Sequence, residues 1–248
     1  MKKYVVIVTV IALMLTLLAG CGKGQPEATA PVTEVTTETV STETKDTVYE
    51  GDASSYYIDV VYKEQIGRYA TALSEQWSEE QYFDNGLSAL PYYYYEGNPL
   101  ENVGFGFVDL DNDGHWELII GAIMDPSIFE IWTLVNGEPV MLVQGSSRNR
   151  YVLQYVEEDN MWYVVNEGSS SAFNQATYYL MLHEGTFEVI QGIVFDASAD
   201  ELNPWFLAHD MDWDVSNDEP IDEETANAIL ESNRKHYTAL EYFPYIFF

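Results

Sequence analysis

The chain has 248 residues, 41 of them acidic and 10 basic, for a formal charge of −31 at pH 7. So negative a surface repels nucleic acid phosphates and anionic lipid headgroups, which argues against both as direct partners and leaves cations, cationic polymers and neutral sugars. Hydrophobic content of 47% and aromatic content of 15% are too high for a disordered acidic chain, and the lone cysteine, Cys21, excludes an internal disulfide, a thiolate zinc site and a cysteine nucleophile in the body.

Residues 1–20 read as a secretory signal peptide: Lys2 and Lys3 precede an apolar run from Tyr4 to Ala19 that only threonines interrupt. The ending Leu18, Ala19, Gly20, Cys21 resembles the lipobox of bacterial lipoproteins. That resemblance implies cleavage before Cys21 and transfer of a diacylglyceryl group to its thiol. Each buried acyl methylene contributes roughly 0.8 kcal/mol, so the expected location is the cell membrane, lipid-anchored and facing the extracellular side. Residues 21–50, rich in Thr, Glu, Val, Pro and Ala, have no aromatic residue before Tyr49 and read as a disordered tether. About 30 residues at roughly 3.3 Å each reach on the order of 100 Å when stretched.

Residues 51–248 form the expected single acidic domain. Ile58, Val61, Tyr62, Ile66, Tyr69, Leu73 and Trp77 recur at helical spacing and predict one N-terminal helix. Ser78 with Gln81 three residues on predicts the cap of a short second helix through Leu90, interrupted at Asp84, Asn85 and Gly86. Tyr92 to Tyr95, read as extended, cannot all face one side, so one or two of these rings are expected at the surface. Strands are expected over 103–108 and 118–123. Hairpins are expected at 128–143 across Asn136-Gly137, at 151–165 across 157–160, and at 177–195 across Glu184-Gly185. Residues 196–220 look irregular. A final helix over 223–236 is capped by Asp222, with acids in its first turn and Arg234 and Lys235 in its last. The apolar tail from Leu240 to Phe248 is expected to be buried as a strand or packed along the sheet. The fold class is α+β, an antiparallel β-sheet meander with an N-terminal and a C-terminal helix.

The most specific stretch is 109–121, DLDNDGHWELIIG. Counting Asp109 as position 1, carboxylates fall at 1, 3 and 5 (Asp109, Asp111, Asp113), Gly114 permits a sharp turn at 6, the His115 carbonyl lies at 7, and Glu117 at 9. Calcium takes about six to eight oxygens at roughly 2.3–2.6 Å, and alternate aspartates in a tight loop supply them. Position 12, where an EF-hand places a bidentate glutamate, is Ile120. With strand-like flanks on both sides, FVDLDNDGHWELIIGA resembles the FG-GAP or VCBS type of extracellular calcium loop and the single loop of many Gram-positive surface lipoproteins. The resemblance implies Asp109, Asp111, Asp113 and Glu117 as ligands of a structural calcium ion, and no catalytic role. A solvated turn whose aspartates bond their own backbone amides is the alternative.

Asp210, Asp212, Asp214 and Asp218 repeat the spacing, but Val215 stands at position 6 and resists the positive φ of the first loop. His115, His183, His209 and His236 show no metal spacing, and Gly168 to Ser171 lack the pattern of a nucleophile elbow. The sequence therefore favours a non-enzymatic binding or structural module. The alternatives are a carbohydrate- or peptidoglycan-binding module, using aromatics such as Trp116, Trp205 and Trp213, and a hydrolase of surface polymers.

Overall fold

The computed structural model describes residues 53–248. The signal peptide, Cys21 and the tether lie outside the described residues. The fold is mostly an open antiparallel β-sheet with a few helices, and none of the described helices is long and apolar enough to cross a membrane.

The predicted stripe from Ile58 to Trp77 does not form one helix. A helical turn Ala53–Tyr56 runs into a π turn, Tyr57–Val61, and the helix proper, α1, spans Lys63–Ser74. The break falls at Tyr62, whose backbone leaves helical angles (φ −108°, ψ 18°). Its side chain is fully buried, and its hydroxyl donates to the Trp116 carbonyl at 2.9 Å. A tertiary anchor thus overrides the local period. Helix α2, Glu79–Asp84, begins with the predicted capping box: the Ser78 hydroxyl accepts from the Gln81 amide while the Gln81 side chain accepts from the Ser78 amide. It stops at Asn85 and Gly86 (φ 64°), short of Leu90.

Residues Leu90–Tyr94 form a 3-10 helix, not extended chain, because Pro91 fixes φ at its first turn. Tyr92 and Tyr93 are exposed, whereas Tyr94 and Tyr95 are held by hydroxyl bonds to Asp125 and Tyr82.

Strands β1 (Val103–Val108), β2 (Glu117–Ala122), β3 (Ile128–Val135) and β4 (Glu138–Gln144) follow. Then come β5 (Asn149–Val156), β6 (Met161–Ser171), β7 (Asn174–His183), β8 (Thr186–Asp196) and β9 (Trp205–Ala208). Neighbours in sequence are neighbours in the sheet, with one fork. The outer edge of β3 pairs with β4 from Glu130 to Val135, but with Tyr151 of β5 at Ile128. The expected turns hold: Asn136-Gly137 and Glu184-Gly185 all take positive φ.

The stretch 196–220 is less irregular than its prolines suggest, since β9 pairs with β8, and β10 (Glu219–Pro220) with β9. Helix α3 spans Glu223–Arg234 behind the predicted cap, the Asp222 carboxylate accepting from the Thr225 amide at 2.7 Å. Two short strands, β11 (Tyr237–Thr238) and β12 (Phe243–Pro244), pair with β5 and β1. The tail follows expectation in part: β12 pairs with β1, Leu240 and Tyr242 pack against the second cluster and Tyr245 is buried, but Phe247 is 86% exposed.

The core explains why β1 and β2 read as continuous apolar runs. Their alternate residues serve two clusters: Phe105, Leu118 and Ile120 pack with α1 and α2, while Val108 and Ile119 join Tyr178, Leu180 and Val194 of β7 and β8. Strands covered on both faces lose the polar alternation of a half-exposed strand. The polar side chains Ser88 and Glu130 are also buried. The Ser88 amide and the Trp132 indole donate to the two Glu130 oxygens at 2.7 and 2.9 Å, and burial pushes the Glu130 carboxyl above its ordinary 4.5.

Candidate metal centre

Register places the acidic loop. Val108 of β1 pairs with Glu117 of β2, so residues 109–116 close a tight hairpin between two buried strands. Both flanks are strands, and Ile120 lies fully buried in β2, so no twelfth-position ligand exists in the loop. Leu110, at the second position, is buried in the same cluster as Ile119 and pins the loop's entry. The exit is pinned by rings. The Trp116 amide donates to the Tyr57 hydroxyl at 3.0 Å, and the two rings stack with centroids 5.3 Å apart. Trp116 is thus engaged in packing at the loop's exit. Trp213 packs edge-on against Tyr178.

Inside the loop the chain turns through two left-handed residues, Asn112 (φ 59°) and Gly114 (φ 89°). Asparagine and glycine are the residues that enter that region at least cost. The Asp109 oxygens accept from the amides of Asp113 (3.1 Å) and Gly114 (3.0 Å), and the Asp111 carboxylate from the Asp113 amide at 3.3 Å. These bonds curl the backbone so that Asp109, Asp111 and Glu117 each bring one carboxylate oxygen within 4.8 Å of the others. The group could hold a metal ion.

Asp113 does not join them; its carboxylate accepts from the His115 amide at 2.7 Å, and both residues are exposed. The Asp210, Asp212, Asp214 and Asp218 stretch forms no comparable group among the described residues. There Asp210, Asp212 and Asp214 accept in turn from the amides of Asp212, Asp214 and Ser216, a chain of Asx turns.

Glu117 is the unusual member, being only 1% exposed. Its Oε2 accepts from the Leu110 amide and its Oε1 from the Thr133 hydroxyl of β3, each at 2.8 Å. Burial raises the Glu117 carboxyl, the Leu110 and Thr133 bonds oppose that, and the charges of Asp111 and Asp113 add to it, so it is pushed up to about 7. Burial, followed by the neighbouring Asp113 charge, raises Asp111 as well. Two like charges no more than 4.8 Å apart repel by at least roughly 3 kcal/mol at an effective dielectric of about 20, so a cation among the three oxygens reverses an unfavourable field. The donors are all hard oxygens, and none of their separations exceeds 4.8 Å, close to the widest spacing that two oxygens about 2.4 Å from one calcium ion can have. The donor set therefore fits a hard divalent cation. Thr133, which orients Glu117 from another strand, carries no sequence signal: nothing in the spacing from 109 to 121 points to it.

Comparison of the chain with family models, curated proteins and solved structures returns no match. The reading of the metal centre rests on its geometry.

Proposed function

We propose that this chain is a lipid-anchored surface protein whose domain is a non-enzymatic binding module, with calcium as a structural clip between β1 and β2. The observation that carries the clip is the gathering of Asp109, Asp111 and buried Glu117 at one end of a strand pair. Calcium there offsets two of the three convergent negative charges and locks the loop whose other contacts, Leu110 and Trp116, tie the two cores together. No catalytic dyad is needed for that role. The α+β arrangement, a meander with helices at its two ends, serves as a rigid platform. Anchoring through acylated Cys21 on the extracellular side follows from the lipobox resemblance, and millimolar extracellular calcium keeps a weak site filled. A wall or environmental polysaccharide is the partner class this location favours; the acidity of the chain argues against nucleic acid.

With few protein ligands the affinity belongs among extracellular modules, about 10⁻⁴ to 10⁻³ M. In about 2 mM calcium this adds roughly 0.6–1.8 kcal/mol, or about 1–7 °C in Tm. Melting the purified chain in calcium, magnesium and chelator tests it; identical curves in all three would sink the clip. Mass spectrometry of the cell-derived protein, with Cys21→Ser as control, tests the anchor: an unacylated Cys21 would contradict it.

A further inference from the structure

Residues 53–248 carry only six basic side chains: Lys63, Arg68, Arg148, Arg150, Arg234 and Lys235. Three of the six, all arginines, line one cleft of about 870 Å³ on the sheet. In so acidic a chain, half of the domain's positive charge is concentrated at one place. Arg148 comes from the turn between β4 and β5, Arg150 from β5, and Arg234 from the last turn of α3. Glu167 of β6 supplies the one carboxylate among the lining residues. It is already matched: Arg150 Nη2 lies 2.5 Å from Glu167 Oε2, and the Tyr237 hydroxyl donates to Oε1 at 3.2 Å. Arg148 and Arg234 are left in surplus; both are exposed, and neither forms an ion pair among the described residues. Arg148 uses one Nη1 bond on the Ser170 carbonyl, which orients its fork and leaves further donors open.

The strand register builds the floor as two cross-strand rows. One runs Arg150, Glu167, Thr177, Ile193, and the other Ser169, Gln175, Phe195, Trp205. The cleft therefore grades from guanidinium groups at β5, through hydroxyl and amide groups at β6 and β7, to the rings of Phe195 and Trp205, which meet edge-on at 5.0 Å. Arginine forks pair carboxylate and phosphate groups in bidentate fashion, hydroxyls and amides match sugar hydroxyls, and an indole face suits the apolar face of a pyranose. Pockets of about 300–1,000 Å³ enclose ligands of drug size, which here means a few rings. The field of a −31 chain repels a long polyanion, so the ligand carries few charges.

We infer that this cleft binds a short saccharide bearing one or two carboxylate or phosphate groups, with the acid on Arg148 and Arg234 and a sugar ring against Trp205. The inference deepens the binding-module reading and rests on it, but it is independent of calcium.

The test is calorimetric titration of the full chain, purified in a neutral detergent, with a panel of short uronate- and phosphate-bearing saccharides. Their neutral counterparts, inorganic phosphate and AMP serve as comparison ligands, and every titration is run in chelator and again in calcium. At least one acidic saccharide is expected to bind at least tenfold more tightly than its neutral counterpart and than either non-sugar anion, in chelator as in calcium. The pair Arg148→Gln/Arg234→Gln is expected to weaken that binding at least tenfold with an unchanged melting curve, whereas Lys63→Gln/Lys235→Gln, which removes the same charge outside the cleft, leaves it within twofold. The uronate and phosphate arms separate the two acid chemistries. Absence of binding by every acidic saccharide, equal binding of neutral sugars, equal binding of AMP or phosphate, or full affinity in the arginine pair would each overturn the assignment. Cleavage of a bound saccharide would overturn the non-enzymatic reading and leave the cleft standing; binding that survives loss of both arginines would do the reverse.

Discussion

Two stretches of this chain carry aspartates at the same spacing, and only one becomes a ligand group. In 109–117 and 210–218 the first, third and fifth positions are aspartate, and the fourth residue is left-handed in both, Asn112 at φ 59° and Trp213 at φ 65°. Amide-to-carboxylate bonds curl both. The divergence comes at positions 6 and 9. Gly114 turns through φ 89° and returns the chain to β2, where pairing with Val108 carries Glu117 indoors; Val215 instead opens a 3-10 turn that leaves Asp218 only half-buried. Spacing makes the turn, but a buried ninth-position carboxylate makes the site. Alternate aspartates alone select Asx turns, which need no ion.

The largest difference expected between the two stretches lies at position 9. In saturating calcium, Glu117→Ala should lower unfolding free energy by about 3 kcal/mol, because the ion loses a ligand while the Leu110 amide and Thr133 hydroxyl lose their acceptor. Asp218→Ala should shift it by less than about 0.5 kcal/mol, and denaturant melts compare the two. Equal effects would erase the distinction.

Charge is the next test. Glu117→Gln keeps the shape and removes the desolvated charge, so calcium-free protein should melt no lower than wild type while the calcium-induced rise of roughly 0.6–1.8 kcal/mol disappears. A variant that still responds would place the ion elsewhere.

Glu130 separates burial from ion binding. It is as buried as Glu117, but its oxygens face the Ser88 amide and the Trp132 indole. Its folded-state pKa is raised, so the neutral form is favoured in the fold. Its contribution is therefore best at pH below 4.5 and declines as pH rises from there through the folded value. Melts across pH should show wild type losing ground to Glu130→Gln over that window, with the calcium response of both intact. Within the first loop the smallest effect belongs to Gly114→Ala, where a Cβ meets open space and only the φ of 89° opposes it. About 1 kcal/mol is expected by thermal melt, and none would show that the loop relaxes freely.

Where local chemistry governs, the sequence was readable. Ser78 with Gln81, Asp222 before α3, and the dipeptides Asn136-Gly137 and Glu184-Gly185 each act within four residues, and each does what its side chains dictate. The misreadings share a different cause. Tyr62 breaks its helix for a carbonyl 54 residues away, and β9 forms because β8 offers an edge. Pro91 was visible, yet the four tyrosines after it suggested extended chain. The tail packs along the sheet through Leu240, Tyr242 and Tyr245, while Phe247 stays exposed because no strand or helix among the described residues covers its side. For the site, the loop's own aspartates were legible and the separation of Asp113 from Asp109 and Asp111 was not, since it depends on which carboxylate the His115 amide captures. The arginine cleft was invisible because strand register assembles it from residues 150, 167, 177 and 193.

The central claim is that Asp109, Asp111 and Glu117 hold one hard cation together. Calorimetric titration of calcium into wild type and Glu117→Gln addresses it most directly. One site per chain at about 10⁻⁴ to 10⁻³ M in wild type, weakened at least tenfold in the variant, is the result this account predicts. No heat in wild type, or equal affinity in the two proteins, would contradict it.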